Sequence, residues 1–194
     1  MAHFVLGADP INKIVNDYNG KHKKMLNNVL TAHSTLPKAQ QTNSFVRGLH
    51  RVNSKFQFGH MHQNRIRKDK KESAINALNS VTCPPRHVKD FEDLFEWVYN
   101  VLKNKGVIKN RCLWVYDIAL RMGQCMSPKI EPKDYVYLYS GAYDGAVALN
   151  KALPNGKKIK ITNHRAAITS FPAILQQEGA IYIEDIMCVY HPKK

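Results

Sequence analysis

The sequence has no run of 18 or more apolar residues, no closely spaced cysteine pair and few acidic side chains. The lack of a long apolar run argues against a membrane-spanning helix. The four cysteines, Cys83, Cys112, Cys125 and Cys188, form no Cys-x-x-Cys pair and no zinc-ribbon spacing, so we expect neither a metal site nor a disulfide framework. The N-terminus becomes acidic at Asp9, too early for a secretory signal. These absences predict a cytoplasmic protein without a membrane segment, and no motif indicates a cofactor.

The scarcity of acids leaves a strong excess of positive charge. The chain has 29 Lys and Arg against 15 Asp and Glu, a formal net charge of +14. Residues 1–72 hold 13 of the basic side chains and only 4 of the acidic ones. A concentrated basic surface favours a polyanion partner, because binding releases counterions and long-range attraction speeds association. Nucleic acid is the commonest such partner, and an acidic protein surface is the alternative.

The spacing of apolar residues predicts a mainly helical chain. Apolar side chains recur every three or four positions over residues 11–32 and again over 91–103, where Asp90 is placed to cap the helix N-terminus. Residues 33–58 are polar and show no sustained period, so we expect a loop or arm there. Residues 135–139 alternate tyrosine with apolar residues, which fits a short strand or a helix, and we favour the helix.

A predicted buried helix over Arg111–Gly123, ending at Gly123 as its C-terminal cap, carries two opposite charges. Asp117 and Arg121 are four residues apart and therefore lie on one face, where they can pair. One interpretation is an intrahelical salt bridge or a cap to a neighbouring segment. The other makes Asp117 a general base or an anchor for a catalytic group, and Arg121 a phosphate-binding residue beside Tyr116.

His60 and His62 are the other candidate catalytic groups, since imidazole exchanges protons near neutral pH. Two residues apart on a helix they diverge, which disfavours joint metal ligation. The alternative is polar contact with a phosphate backbone or with the fold. The cations that follow them, and two more just before and at the start of the Asp117 helix, are candidate phosphate contacts. They are Arg65, Arg67, Lys68, Lys70, Lys71, Lys109 and Arg111.

Tyrosines are dense near residue 140 and are candidates, together with Tyr116, to line a pocket or to stack on a base. These are Tyr137, Tyr139 and Tyr143. The alternative is that they are amphipathic residues at the edge of the core. Ser140-Gly141 and Asp144-Gly145 supply tight-turn chemistry and permit close backbone approach.

Four segments match motifs in the order HxHQxRI, VYDxALRIG, PxxVYLHAGxxxGA and EDFLCIYK. The matching residues are His60, His62, Gln63, Arg65, Ile66, Val115, Tyr116, Asp117, Ala119, Leu120, Arg121, Gly123, Pro132, Val136, Tyr137, Leu138, Gly141, Gly145, Ala146, Glu184, Asp185, Cys188 and Tyr190. In these residues the chain resembles a poorly characterised bacterial family of small helical proteins. The resemblance covers about two thirds of the chain, leaves residues 1–58 unexplained and implies no established activity.

The family's glycine hairpin before the VYD helix resembles the helix-hairpin-helix element of DNA-repair glycosylases, which holds a phosphate through backbone N–H groups. This chain has Lys109-Asn110-Arg111 in place of the family's Gly-x-Gly. Side-chain charge would therefore replace the backbone contact. It also has Tyr139-Ser140 where the family has His-Ala, so the family's histidine is missing.

The predicted fold is mainly α: a compact helical domain with a helix-hairpin-helix-like core and at most a small β-hairpin. We expect a basic N-terminal helix and polar arm over residues 1–58 and a helical core domain over residues 59–194. The leading hypothesis for function is a nucleic-acid-binding protein, DNA-repair-like in its core, that contacts the phosphate backbone. A second hypothesis is an enzyme acting on a nucleotide or nucleic acid through His60 or His62 and Asp117. A third is an adaptor or inhibitor that binds an acidic protein surface.

Overall fold

The computed structural model of the protein describes residues 4–7, 9–52, 55–58, 65–81 and 88–192. Its helices, in chain order, are α1 (Ile11–Lys21), α2 (Lys23–Thr35), α3 (Lys38–Arg47), α4 (Lys68–Asn79), α5 (Phe91–Asn104), α6 (Leu113–Gln124), α7 (Gly141–Ala152), α8 (Ala173–Gln176) and α9 (Ala180–Val189). Its strands form two antiparallel pairs, β1 (Leu49–Val52) with β2 (Lys55–Phe58) and β3 (Tyr135–Tyr137) with β4 (Arg165–Ala167). The prediction of a mainly helical fold is confirmed.

The chain divides into two units that differ from the predicted division at residue 58. The terminal unit consists of residues 1–25 and 132–194, and the central unit consists of residues 26–131. The N-terminal helix α1 packs with α8 and α9, near the other end of the chain. A division read along the sequence misses this arrangement, because the contacts of α1 are made more than 150 residues away.

In the central unit, α6 packs against both α3 and α5, and α4 packs against α3 and α5. The sequence explains α5 well, since its predicted apolar stripe is buried along its whole length. The Asp90 side chain accepts a hydrogen bond of 2.9 Å from the backbone N–H of Asp93, so the predicted N-cap is confirmed. Helix α6 is apolar on nearly every side because it is covered by neighbours on more than one face.

The prediction of a polar arm over residues 33–58 is wrong. This segment contains the end of α2, all of α3 and the β1–β2 hairpin. Its few apolar side chains are clustered rather than periodic, and Phe45 and Val46 are buried at the end of α3. Two of its buried polar side chains contact each other, His33 Nδ1 and Ser44 Oγ at 3.0 Å. The polar composition of residues 33–58 therefore does not reveal that the segment is folded and packed.

Gly123 does not cap α6, because it lies inside the helix. A Cβ atom at this position would lie 2.1 Å from the carbonyl oxygen of Ile130. The returning chain also bonds here, since the Ile130 N–H donates to the Gly123 carbonyl over 3.1 Å. The glycine is therefore required for close approach of two backbone segments.

In the terminal unit, α7 packs closely against α9, and the core also includes buried residues of α1, β3 and β4. The helix favoured for residues 135–139 is wrong, because residues 135–137 form β3. Val136 and Ala166 are paired neighbours on the buried face of this ribbon. The strand pattern in the sequence was thus the correct alternative.

Two tyrosine–carboxylate hydrogen bonds join α1 to the α9 region. The donor belongs to α1 in one of them and to the residue that follows α9 in the other. The Tyr18 hydroxyl donates to Asp185 over 2.7 Å, and the Tyr190 hydroxyl donates to Asp17 over 2.7 Å. Burial raises the pKa of both phenols, and the neighbouring carboxylates raise it further. Both tyrosines therefore stay protonated and keep donating throughout the physiological pH range.

None of the helices in the described part of the chain is both long enough and apolar enough to span a lipid bilayer.

Candidate functional site

The charged pair of α6, Asp117 and Arg121, lies at the C-terminal end of α3, where Arg121 binds a backbone carbonyl. The Arg121 guanidinium donates from Nη1 to the carbonyl of Phe45 over 2.8 Å, and the Trp114 indole donates to the carbonyl of Val46 over 3.0 Å. Both carbonyls lie in the last turn of α3, where no further helical N–H is available to them. A buried cation at this end also compensates the negative end of the helix dipole.

Asp117 holds the same guanidinium from the preceding turn of α6. Its carboxylate is 3.6 Å from Arg121 Nη2, and the two side chains are 15% and 8% exposed. Burial lowers the pKa of the Arg121 guanidinium, and the Asp117 carboxylate opposes that shift. The geometry agrees with the interpretation of the pair as a salt bridge and helix cap. It does not fit the predicted phosphate contact by Arg121, because the cation is already buried against protein acceptors.

Tyr116 also faces the protein interior. It is 1% exposed, and its ring meets the Phe91 ring edge-on at a centroid distance of 5.8 Å. A side chain this buried contacts no ligand from solvent, so the prediction of Tyr116 as a pocket wall is not supported by its position.

The candidate catalytic histidines His60 and His62 lie outside the described residues. Their convergence with Asp117 therefore stays a prediction. Among the described residues, no group of three or more His, Cys, Asp or Glu side chains has the arrangement of a metal site. Burial raises the pKa of the Cys125 thiol to about 11, which makes it a poor nucleophile at neutral pH.

The predicted phosphate contacts of the central unit fall into two groups. The first group is exposed or half-buried and comprises Arg65, Lys68, Lys70, Lys71 and Lys109. Within the described ranges of the chain, no carboxylate forms an ion pair with any of these five cations. Four of them lie between residue 65 and the first turn of α4.

The second group is held by carboxylates. Arg67 contacts Asp69 through two hydrogen bonds of 3.1 and 2.7 Å, and Arg111 contacts Glu96 through two of 2.7 and 2.6 Å. The Arg111 guanidinium also lies 4.5 Å from the centre of the Tyr99 ring. Bidentate pairing orients these guanidinium groups and offsets their charge. The sequence grouped them with the cations that have no carboxylate partner among the described residues, because it does not show which acids fold back on them.

The remaining predicted tyrosines belong to the terminal unit, whereas Tyr116 belongs to the central unit. Tyr137 is 1% exposed and Tyr139 is 6% exposed, so both are largely inaccessible. Tyr143 is 40% exposed in the first turn of α7. Its ring and that of Tyr139 both contact the exposed His164 imidazole.

Sequence reasoning missed His164 and Arg165. The pair Asn163-His164 adopts φ angles of 51° and 58°, and Thr162 and Arg165 exchange two backbone hydrogen bonds around it. Asparagine tolerates this left-handed conformation better than most residues, so Asn163 was the available signal for a tight two-residue turn.

A groove of about 630 Å³ in the terminal unit has basic residues on its rim. Its lining includes the apolar side chains of Ile11, Leu153 and Phe171, together with Lys157 and Lys158. Residues 151–160 carry four lysines and no acidic residue. This groove is a further cationic feature among the described residues, and sequence reasoning did not single it out because its other walls come from distant segments.

No protein-family model matches the chain, and no significant match is found among curated proteins or solved structures. The resemblance to a bacterial family of small helical proteins therefore stays a prediction.

Proposed function

We propose that this protein binds nucleic acid through the phosphate backbone, using the exposed cations of the central unit. The observation that carries the proposal is the group of Arg65, Lys68, Lys70, Lys71 and Lys109, which have no carboxylate partner among the described residues. A cation already paired with an acid gains little from a phosphate, whereas an unpaired one releases the counterions of the phosphate it binds. The central unit has 17 Lys and Arg against 8 Asp and Glu, which supports long-range attraction.

The start of α4 adds to this support. Arg67 precedes the helix and makes no side-chain cap to its first N–H groups. The positive end of the helix dipole attracts anions, although the Asp69 carboxylate, which interacts with backbone N–H groups of the first turn, offsets part of this attraction. Phosphate contacts of this kind fix the position of the protein on nucleic acid without reading its sequence.

The salt dependence of binding tests the proposal. The slope of log K against log salt concentration is negative, and we expect Lys109→Gln to reduce its magnitude by about 0.7 to 0.9, the value for one lost phosphate contact. Replacing Lys68, Lys70 and Lys71 together by glutamine is expected to reduce that magnitude by about 2 to 3. Fluorescence anisotropy with a labelled oligonucleotide, titrated at several salt concentrations, measures both slopes.

Arg111→Gln is the matched control, because it removes the same charge two residues away from Lys109. Its guanidinium is held by Glu96, so we expect its slope to equal that of the unmodified protein. Equal losses from Lys109→Gln and Arg111→Gln would contradict the assignment of contacts. Absence of any binding at about 50 mM salt and micromolar protein would contradict nucleic-acid binding itself.

A second candidate function is docking of an acidic protein segment in the groove at Lys157 and Lys158. It is favoured by the combination of apolar walls with two exposed lysines in the lining, Lys157 and Lys158. We expect the double reversal of Lys157 and Lys158 to Glu to weaken binding of labelled poly-L-glutamate more than the same reversal at Lys103 and Lys105. Equal weakening in anisotropy titrations would show a general charge effect and remove this candidate.

A further inference from the structure

Two exposed tyrosine rings lie close together along the chain in the terminal unit. Among the described residues, the large apolar or aromatic side chains that are exposed are Met25, Tyr135, Tyr143 and Val189. Tyr135 is 39% exposed at the start of β3, and Tyr143 is 40% exposed in the first turn of α7. Single exposed apolar residues are ordinary at protein surfaces. Tyr135 and Tyr143 differ because the ring of each contacts an aromatic or cationic side chain.

The neighbours of the exposed rings have the geometry of stacking partners. The Arg165 guanidinium carbon lies 5.3 Å from the centre of the Tyr135 ring. The His164 ring meets Tyr143 edge-on at 5.8 Å and stacks on Tyr139 at 5.0 Å with an interplanar angle of 21°. Each exposed ring therefore has a neighbour that limits its rotation, which reduces the entropy that a ligand must remove on binding.

The backbone forms two contacting groups, Tyr135 with Arg165 and both Tyr139 and Tyr143 with His164, and His164 and Arg165 are consecutive in the chain. Register in the β3–β4 ribbon pairs Arg165 with Tyr137, two residues along the strand from Tyr135. The tight turn at Asn163-His164 directly precedes Arg165. Tyr139 precedes α7 and Tyr143 lies in its first turn, and both rings contact the same imidazole. We call Tyr135, Tyr139, Tyr143, His164 and Arg165 the tyrosine–histidine face.

The chemistry of this face suits a nucleobase. Bases present flat π surfaces that stack on tyrosine, histidine and guanidinium planes. Their phosphates are attracted by the terminal unit, which has 12 Lys and Arg against 7 Asp and Glu. Asp134 and Asp144 are the acidic residues next to the two exposed tyrosines, so the local positive excess is small. Stacking therefore has to supply most of the local affinity.

Base pairing determines whether a nucleic acid can present its bases to the tyrosine–histidine face. In a duplex each base is covered by its neighbours in the stack, so its π surface is not accessible to a side chain. In a single strand the bases unstack at little cost and are free to lie against exposed rings. We infer that the tyrosine–histidine face is a binding site for unpaired bases, so that the nucleic acid this protein takes is single-stranded. The inference rests on the proposed function for the class of ligand, but on different residues in the other unit.

Binding of a short labelled oligothymidine, compared with a duplex of the same length, tests the inference. We expect the single strand to bind at least about fivefold more tightly than the duplex, since one stacked base is worth about that factor. Tyr143→Leu is expected to weaken single-strand binding about fivefold or more, with an unchanged salt slope, because no cation is lost. Tyr143→Phe keeps the ring and is expected to bind as the unmodified protein does.

Tyr182→Leu is the matched control. Tyr182 is a half-buried tyrosine of the same unit with a lysine ammonium, Lys23 Nζ, 4.7 Å from its ring centre, but it is not part of the face. We expect this variant to bind oligothymidine normally. Photocrosslinking with 5-iodouracil in the strand should label peptides that contain Tyr143 or His164. Circular dichroism confirms that each variant is folded.

The outcomes separate this inference from the proposed function. If Tyr143→Leu binds normally, if the duplex binds equally well or if crosslinks lie elsewhere, the inference is wrong, and the lysine variants still decide phosphate binding by the central unit. If the lysine variants leave the salt slope unchanged while Tyr143→Leu weakens binding, the proposed surface is wrong and this site stands. If neither nucleic acid binds at about 50 mM salt, both are wrong.

Discussion

Replacing Gly145 by alanine is expected to destabilise the terminal unit by about 3 kcal/mol or more. A Cβ atom at this position would lie 2.1 Å from the carbonyl oxygen of Met187 and 2.8 Å from its carbonyl carbon. Both are backbone atoms of α9, so no side-chain rotation relieves the clash. Helices α7 and α9 would have to separate, which loosens the buried contacts on both sides of the glycine. Urea unfolding followed by circular dichroism measures the loss.

Gly20→Ala is the matched control for this substitution. Gly20 lies within helix α1 of the same unit, and no atom of the residues that the structure describes lies within 4 Å of a Cβ atom placed there. Alanine is the better helix former, so we expect Gly20→Ala to stabilise the protein by about 0.5 to 1 kcal/mol. A Gly145→Ala protein as stable as the unmodified one would show that α7 and α9 do not pack at this distance.

Replacing Arg121 by methionine is expected to cost about 3 to 5 kcal/mol in the stability of the central unit. The substitution removes the donor to the Phe45 carbonyl and the ion-pair partner of the largely buried Asp117 carboxylate. A buried acceptor and a buried charge then lose a compensating group at the same time. Methionine retains most of the apolar volume, so the loss reports on polar contacts rather than on a cavity.

Two comparisons make this expectation specific. Arg111→Met removes an exposed arginine from a bidentate pair with Glu96 and is expected to cost less than about 1 kcal/mol. Combining Arg121→Met with Asp117→Leu removes the charge that was left behind, so part of the stability should return. If Arg121 instead contacts phosphate, Arg121→Met would reduce the magnitude of the slope of log K against log salt concentration and leave the free energy of unfolding nearly unchanged.

Local signals in the sequence predicted α5 and the position of α6. Asp90 and the stripe that follows it determine where α5 begins and which side is buried, because capping and apolar periodicity act within a few residues. The pairing of Asp117 with Arg121 was one of two interpretations, since four-residue spacing permits it but does not say what else the guanidinium contacts. The Phe45 carbonyl, 76 residues away along the chain, decided between them.

Side-chain exposure and carboxylate pairing determined which of the predicted site residues can contact a ligand. The sequence grouped the cations by proximity, but Arg67 and Arg111 are held by carboxylates, whereas Lys68 and Lys109 have no carboxylate partner in the described part of the chain. Folding of a side chain onto Asp69 or Glu96 depends on rotamers and helix faces, which charge counting does not describe. The exposure of Tyr143 and the burial of Tyr116 likewise depend on which helix face each occupies, and composition does not describe this.

The sequence by itself determined the mainly helical class and the positive charge, because helix propensity, periodicity and net charge are properties of short segments or of simple sums. Only the tertiary structure decided the two units, the packed segment between α2 and β2, and the roles of Gly123 and Gly145. It also placed His164 and Arg165 beside the exposed tyrosines. Each of these depends on contacts between residues far apart in the chain, and such contacts are selected by packing as a whole.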